Sequence, residues 1–414
     1  MTPRARPATT SPDPMTPILL TVYPDECDAF GHLNQASFLS LFERARWEML
    51  RAGPGMDLFD RTGTWPAVRK TVIEYHASAF PGDVLRFEQD LTHVGRTSFT
   101  MRQVARRVRD DGLIATAEFL FVTVNRQGRP VSVPREFNDF MAARRRDAGE
   151  VQRLTVNGVN LAVEVRGDGP AVLFIHGYPF DRSIWTHQLA ALDGWSRVAP
   201  DLRGMGQSDA PDLGYNMETY AADLAVVLDL LGVDEVVLVG LSMGGYIAFE
   251  FLRRYRDRVR GVVLMDTRAE ADTPGGRKSR DAAAATAREQ GAGAIAEAML
   301  PKLFGASTLA GAPATVERVR AMMAATPVAG IVGALGAMRD RPDSRPLLPG
   351  LAGIPALVIV GDEDQLTPPA QAQAMADAIP GASLVVIRSA GHLPIMERPV
   401  ETTDALLAFL GGLP

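Results

Sequence analysis

The stretch Glu235-Val236-Val237-Leu238-Val239-Gly240-Leu241-Ser242-Met243-Gly244-Gly245-Tyr246-Ile247-Ala248-Phe249 decides how the larger part of this chain is read. A short run apolar on both faces passes through a G-x-S-x-G pentapeptide into a segment with helical spacing of its apolar residues. A strand that ends in so tight a turn and leaves it as a helix pushes the central side chain outward. Glycines are needed beside it because side chains there would strike the neighbouring strand and helix. Alone, the pentapeptide is a common match. Between a buried strand and a helix, it predicts an exposed hydroxyl at Ser242.

Working outward, similar apolar runs stand at AVLFIHG (171–177), GVVLMD (261–266), ALVIVG (356–361) and LVVIR (384–388), with helical or loop segments between them. Strands apolar on both faces that alternate with helices imply a mostly parallel sheet with helices on both sides. Asn157-Gly158, between RLTV and VNLAVEV, predicts a hairpin upstream of that sheet. From Thr267 to about Arg345 there is no strand signal, only an alanine-rich segment that reads as a helical cap. Its Met299, Met322, Met323 and Met338 are expected to fill the core rather than face a substrate.

A serine hydroxyl is a weak nucleophile near neutral pH and needs a base to take its proton. Of the six histidines, only His392 follows Ser242, in the loop just past LVVIR. The loop after ALVIVG offers three carboxylates, Asp362, Glu363 and Asp364, and Asp266 closes the strand GVVLMD. Acyl transfer also needs main-chain donors for the developing oxyanion, and Met243, the residue after the serine, supplies one N–H.

These features, in this order over residues 152–414, resemble the α/β-hydrolase family. The resemblance implies Ser242 as nucleophile, His392 as base and Asp364, three residues after Gly361, as the acid; Asp362 is then a turn residue and Asp266 the competitor. His176-Gly177-Tyr178-Pro179 is similar to the family's HGxP motif, which assigns the second oxyanion N–H to Tyr178 and leaves His176 structural. Asp201–Asp209 matches a signature loop of the same family and reads as a packing element. A serine at the elbow separates this chain from haloalkane dehalogenases and epoxide hydrolases, which carry Asp there. The stretch from Arg341 to Pro369 is similar to esterases and 3-oxoadipate enol-lactonases.

The first part of the chain has another texture. A strand at Ile18–Tyr23 and a helix at residues 36–51, with Phe38, Leu41, Phe42, Ala45 and Met49 on one face, precede four long β-rich runs separated by turn residues. This predicts an α+β domain over residues 16–141, a meander with one helix to cover it. The loop Tyr23-Pro24-Asp25-Glu26-Cys27-Asp28-Ala29-Phe30-Gly31-His32-Leu33-Asn34 leads into that helix. It resembles the active-site segment of hotdog-fold thioesterases of the 4-hydroxybenzoyl-CoA type. The resemblance implies Asp28 as a catalytic carboxylate, His32 and Asn34 as substrate-side groups, acyl-CoA thioesters as substrates, and pairing of subunits through their sheets into a homodimer or larger assembly. Phe30 stands where plant-type acyl-carrier thioesterases have Asn, and Asn34-Gln35 where an Asn-Asn pair is frequent. The alternative is that Asp28 and Asn34 are a turn residue and a helix cap.

Composition sets the frame for both readings. A chain of 414 residues exceeds one ordinary core. A net charge of −6 argues against nucleic acid or an anionic membrane surface as partner. The single cysteine, Cys27, rules out an internal disulfide and suits a reducing, cytoplasmic setting. Residues 1–15 read as a flexible leader and residues 142–150 as a charged linker before the hydrolase-like domain at 151–414, whose cap spans about 267–345. Neither H-E-x-x-H nor a glycine-rich phosphate loop occurs, so no metal or cofactor is expected. The expected function is bifunctional: an acyl-CoA thioesterase joined to a serine carboxylesterase or lactonase. The alternative is a serine esterase whose hotdog domain serves only for dimerisation or acyl binding.

Overall fold

The computed structural model describes residues 18–110 and 112–413, so the leader at residues 1–15 lies outside the described residues. The chain divides into two compact units, Met1–Asp147 and Ala148–Pro414. In the first, β1 (Ile18–Thr21), β2 (Trp65–Tyr75), β3 (Val84–Val94), β4 (Ser98–Arg107) and β5 (Gly112–Val124) form an antiparallel sheet. The helix Gln35–Ala52 covers one face with Phe38, Leu41, Phe42, Ala45 and Met49, all buried. Phe42 meets Phe87 and Phe119 edge-on, at 5.4 and 6.0 Å between ring centres. Burial alternates along β4 and β5, as a sheet with one covered face requires.

The strand order is β1-β3-β4-β5-β2, which corrects the meander reading. Only β3, β4 and β5 are consecutive neighbours; β2 pairs with β5 along almost its whole length and forms the far edge. The chain after β2 runs back across the strand ends. His76 and Ala77 both donate their N–H to the Ile114 carbonyl, and Arg107 donates to the Ser78 carbonyl. Alternation of side chains marks a strand without naming its partner. The linker at 142–150 also differs from expectation, because the helix Arg135–Ala148 runs through most of it. Alanine and arginine are strong helix formers, and the helix stops only where Gly149 turns with φ +90°.

The second unit holds an eight-stranded mixed sheet. Its strands are β6 (Glu150–Val156), β7 (Val159–Arg166), β8 (Ala171–Ile175), β9 (Ser196–Pro200), β10 (Val236–Leu241), β11 (Val259–Met265), β12 (Ala356–Gly361) and β13 (Ser383–Ile387). The order is β13-β12-β11-β10-β8-β9-β7-β6; β7 runs antiparallel to both of its neighbours, β6 and β9, and every other pairing is parallel. Asn157 and Gly158 both take positive φ, 45° and 82°, in the turn between β6 and β7. β8, β10 and β12 are buried at every position, which is why they read as continuous apolar runs. Between β11 and β12 the described residues form five α-helices, Pro274–Gln290, Ala292–Leu303, Ala306–Gly311, Pro313–Ala325 and Val328–Arg339, and the 3-10 helix Arg345–Leu351. No single helix among the described residues is long and apolar enough to cross a membrane.

Candidate active site

Every hydrolase residue singled out in the sequence lies just past the carboxyl end of a parallel strand, where an open α/β sheet leaves a crevice. Ser242 follows the central strand β10 and precedes the helix Met243–Arg254, with φ 53° and ψ −111°. A left-handed non-glycine residue of this kind costs about 1–3 kcal/mol and persists only where its surroundings impose it. Here the Ser242 N–H donates to the Met265 carbonyl at 2.8 Å, and Thr267 Oγ1 donates to the Ser242 carbonyl at 2.7 Å. A Cβ on Gly240 would stand 2.5 Å from the Gly244 carbonyl oxygen, and one on Gly244 would overlap the Ile175 carbonyl. The glycines therefore let strand, turn and helix close together around the serine.

His392 and Asp364 come from the loops after β13 and β12. The imidazole Nδ1 lies 2.8 Å from Asp364 Oδ2, and both side chains are buried. Asp364 accepts further hydrogen bonds from Thr367 Oγ1 (2.5 Å) and from the Leu366 and Thr367 N–H groups (2.8 and 3.1 Å). Burial alone would raise its pKa, but the His392 charge and the hydrogen bonds from His392 and Thr367 outweigh that and hold the carboxyl below its ordinary range. The other two carboxylates of the loop are engaged elsewhere. Asp362 is exposed and Glu363 Oε2 accepts from the Ala306 N–H at 2.6 Å.

Asp266 is close by; its carboxylate, that of Asp364 and a ring nitrogen of His392 have ligating atoms within 4.8 Å of one another. Its Oδ1 accepts from the Gly361 N–H at 2.9 Å. Complete burial, then the Asp364 charge, push its pKa well above the ordinary carboxylate range. Its Oδ2 has no hydrogen-bond partner, whereas Asp364 Oδ2 is the oxygen that meets the imidazole.

The strand β8 delivers Tyr178 and the strand β10 delivers Met243, and neither N–H donates a hydrogen bond among the described residues. His176 is fully buried; its Nε2 accepts from the Leu202 N–H at 3.0 Å and its Nδ1 lies 2.8 Å from the Gly177 carbonyl. Burial lowers its pKa, so it is a neutral structural imidazole. In the loop at 201–209 Asp201 pairs with Arg182, and Arg203 forms a two-pronged contact with Asp223 at 2.6 and 2.8 Å. Ser242, His392 and Tyr178 open together into a cavity of about 360 Å³. Met299 and Met338 line it as well as packing in the core, whereas Met323 is wholly buried and does not line it.

In the first unit Asp28 is exposed. Its Oδ1 accepts from the Phe30 and His32 N–H groups at 2.9 and 3.2 Å, closing its own loop. Asn34 caps the helix, accepting from the Ser37 N–H at 2.9 Å and donating to the Glu26 carbonyl at 3.0 Å. His32 is exposed and its ring meets Phe80 edge-on at 5.2 Å. Burial, then the charges of Asp28, Glu26 and Asp25, raise the pKa of the Cys27 thiol.

Residues 170–399, just over half of the chain, match the alpha/beta hydrolase fold family. The chain belongs to that family. Residues 22–143 match the thioesterase-like superfamily, and the long helix on an antiparallel sheet is the corresponding hotdog arrangement. Among solved structures, a thermophilic esterase from Thermogutta terrifontis, with malate bound, is 42% identical over 63% of this chain and 98% of that one, with a TM-score of 0.61. The enol-lactonase from Burkholderia xenovorans LB400 is 32% identical over 63% of this chain and 100% of its own, with a TM-score of 0.59. Epoxide hydrolase 2 from Siraitia grosvenorii is 43% identical over 114 residues, and the chain spans only 36% of that relative's length. In this α/β-hydrolase the elbow residue is Ser242.

One supporting residue has no counterpart in the motifs. Glu397 is buried; its Oε1 accepts from the Gly391 N–H at 2.8 Å and its Oε2 from the Gly305 N–H at 2.8 Å. It thus ties the loop that carries His392 to the start of the Ala306–Gly311 helix. The signal available in the sequence was a carboxylate directly after the apolar run Leu393-Pro394-Ile395-Met396.

Proposed function

We propose that the second unit is a serine carboxylesterase or lactonase. Ser242 Oγ attacks the carbonyl carbon while His392 takes its proton, and Asp364 orients the imidazole and offsets its charge. The Tyr178 and Met243 N–H groups receive the oxyanion. The protonated imidazole then returns its proton to the leaving alkoxide, and a water, deprotonated by the same histidine, releases the acid from the serine. The observation that carries this reading is that His392, paired behind with the buried Asp364, opens with the strained Ser242 into one cavity. A fluorophosphonate probe tests it, with p-nitrophenyl esters as substrates. The probe is expected to label Ser242 alone, and labelling at another residue would defeat the assignment.

For the first unit we propose an acyl-CoA thioesterase acting through Asp28, in a homodimer or larger assembly. The exposed edge strand β2, with Val68, Val72 and Tyr75 turned to solvent, favours pairing with a second copy. Asp28 Oδ2 remains available to a substrate, while Oδ1 is used by the loop. That second fact also favours the other reading, in which Asp28 shapes a turn and the unit only dimerises or binds acyl groups. Acyl-CoA thioesters offered to the Ser242→Ala protein separate the two. The one cysteine fits a reducing compartment, and we assign the protein to the cytoplasm on that ground.

A further inference from the structure

The cavity shared by Ser242 and His392 is walled on one side by Ala283, Ile295, Met299, Leu335 and Met338, as an acyl chain would require. Its charged lining is unequal. Arg268, Arg280 and Lys302 face it, and Asp272 is the one carboxylate that lines it among the described residues. That carboxylate is already taken: Arg341 Nη1 lies 2.7 Å from Oδ1 and Arg280 Nε 3.2 Å from Oδ2. Burial would raise its pKa, but Arg280 and Arg341 outweigh that and keep it ionised. Arg280 and Arg341 thus have a structural task, fastening the first cap helix.

Arg268 and Lys302 are less committed. Arg268 comes no nearer to Asp272 than 3.9 Å, and its Nε is buried without a hydrogen-bond partner. It donates a hydrogen bond to the Tyr246 hydroxyl and lies near the Glu270 charge, which leaves Nε as its open donor. Lys302 forms no ion pair among the described residues. A buried guanidinium donor left open costs free energy unless a ligand completes it, and a cavity of excess positive charge attracts anions. A neutral ester uses neither group.

We propose that this site takes esters or lactones that carry a free carboxylate, bound against Arg268 and Lys302 while the ester carbonyl lies at Ser242. The inference rests on Ser242 being the nucleophile. It is tested with two charged and neutral pairs. Mono-p-nitrophenyl glutarate and its methyl ester place the carboxylate on the acyl side, and 4-acetoxybenzoate and its methyl ester place it on the leaving group.

In at least one pair the charged member is expected to show kcat/KM about tenfold or more above the neutral one. The preference is expected to shrink as salt is raised from 0.02 to ~0.5 M. Arg268→Gln is expected to bring the charged-to-neutral ratio towards one, chiefly through KM, and Arg268→Lys to restore part of it. Lys302→Gln, at an exposed position, is expected to lower the ratio by a smaller factor and keeps the test open if the Arg268 variants misfold. Equal or better hydrolysis of the neutral member in both pairs overturns the inference and leaves the serine esterase standing. Failure to cleave any of the four overturns both.

Discussion

The loops after β12 and β1 each present an aspartate that the sequence singles out, and the fold treats them in opposite ways. Asp364 is buried and its two oxygens accept from His392, from the Thr367 hydroxyl and from two backbone N–H groups. Asp28 is exposed and spends one oxygen on the N–H groups of its own loop. A charge held in a dry, fixed setting acts strongly on its neighbour, whereas one in water is screened. A motif fixes residue type and chain position; reactivity also needs burial and a partner. Within one chain the hydrolase unit has both. The thioesterase-like unit has the residue and, among the described residues, an unpaired sheet edge at β2.

The strongest way to break this contrast is Ser242→Ala. Loss of the nucleophile is expected to lower kcat for p-nitrophenyl esters by about 10⁶, since the residues of such a site act as a unit. Alanine leaves the glycine-lined elbow as it is, so the unfolding midpoint should move little. Retention of even a few per cent of the esterase activity would shift the chemistry elsewhere.

Next in size is Asp364→Asn, expected to cost about 10⁴ in kcat because the imidazole loses its anionic partner. Asp362→Asn, at an exposed position, is expected to stay within about threefold of wild type. The reverse pattern would mean that burial had misdirected the assignment.

The third test sharpens the other half of the comparison. In the Ser242→Ala background, Asp28→Asn is expected to lower acyl-CoA thioester hydrolysis, followed by free thiol release, by about 10²–10⁴, the range for loss of a general base. If Ser242→Ala by itself removes all thioesterase activity, the first unit is a dimerising or binding module.

Much of this was legible in the sequence, for reasons that differ by region. β8, β10 and β12 are buried on both faces, so their apolar runs announce a parallel sheet. The Gln35–Ala52 helix shows its buried face through helical spacing. What stayed hidden depends on contacts between distant segments. Nothing in β2 says that it pairs with β5 rather than β3. Nothing in the cap says that Met299 and Met338 reach the cavity while Met323 does not. The charged run around Arg144 reads as a connector because it lacks an apolar face, yet its residues carry the helix on to Ala148. Asp364 and Asp266 could be ranked only by resemblance, because packing decides which of them meets His392.

That ranking yields the smallest effect and the finest test. Asp266 is buried, with Oδ1 accepting from Gly361, Oδ2 without a hydrogen-bond partner, and a pKa raised by burial and by the Asp364 charge. Asparagine has nearly the same shape, can accept from Gly361 and can donate an N–H from the position of Oδ2. Asp266→Asn is therefore expected to keep kcat within a few-fold of wild type, and a loss near 10⁴ would identify Asp266 as the working acid instead. The variant should also change the pH dependence of stability. In the wild type the folded pKa of Asp266 is raised, so its contribution is fully present below the unfolded value of about 3.9. It is lost as pH climbs from there towards the folded pKa, at up to about 1.4 kcal/mol per pH unit, because the unfolded chain gives up a proton that the folded one keeps. Asparagine removes that slope. Urea unfolding at pH 5 and pH 8 is expected to show the variant gaining on wild type at the higher pH. Asp364, with its pKa lowered, acts in the other direction, supplying stability above its unfolded pKa that disappears only as pH falls through the folded one. An unchanged gap between variant and wild type at the two pH values would mean that Asp266 is ionised in the fold.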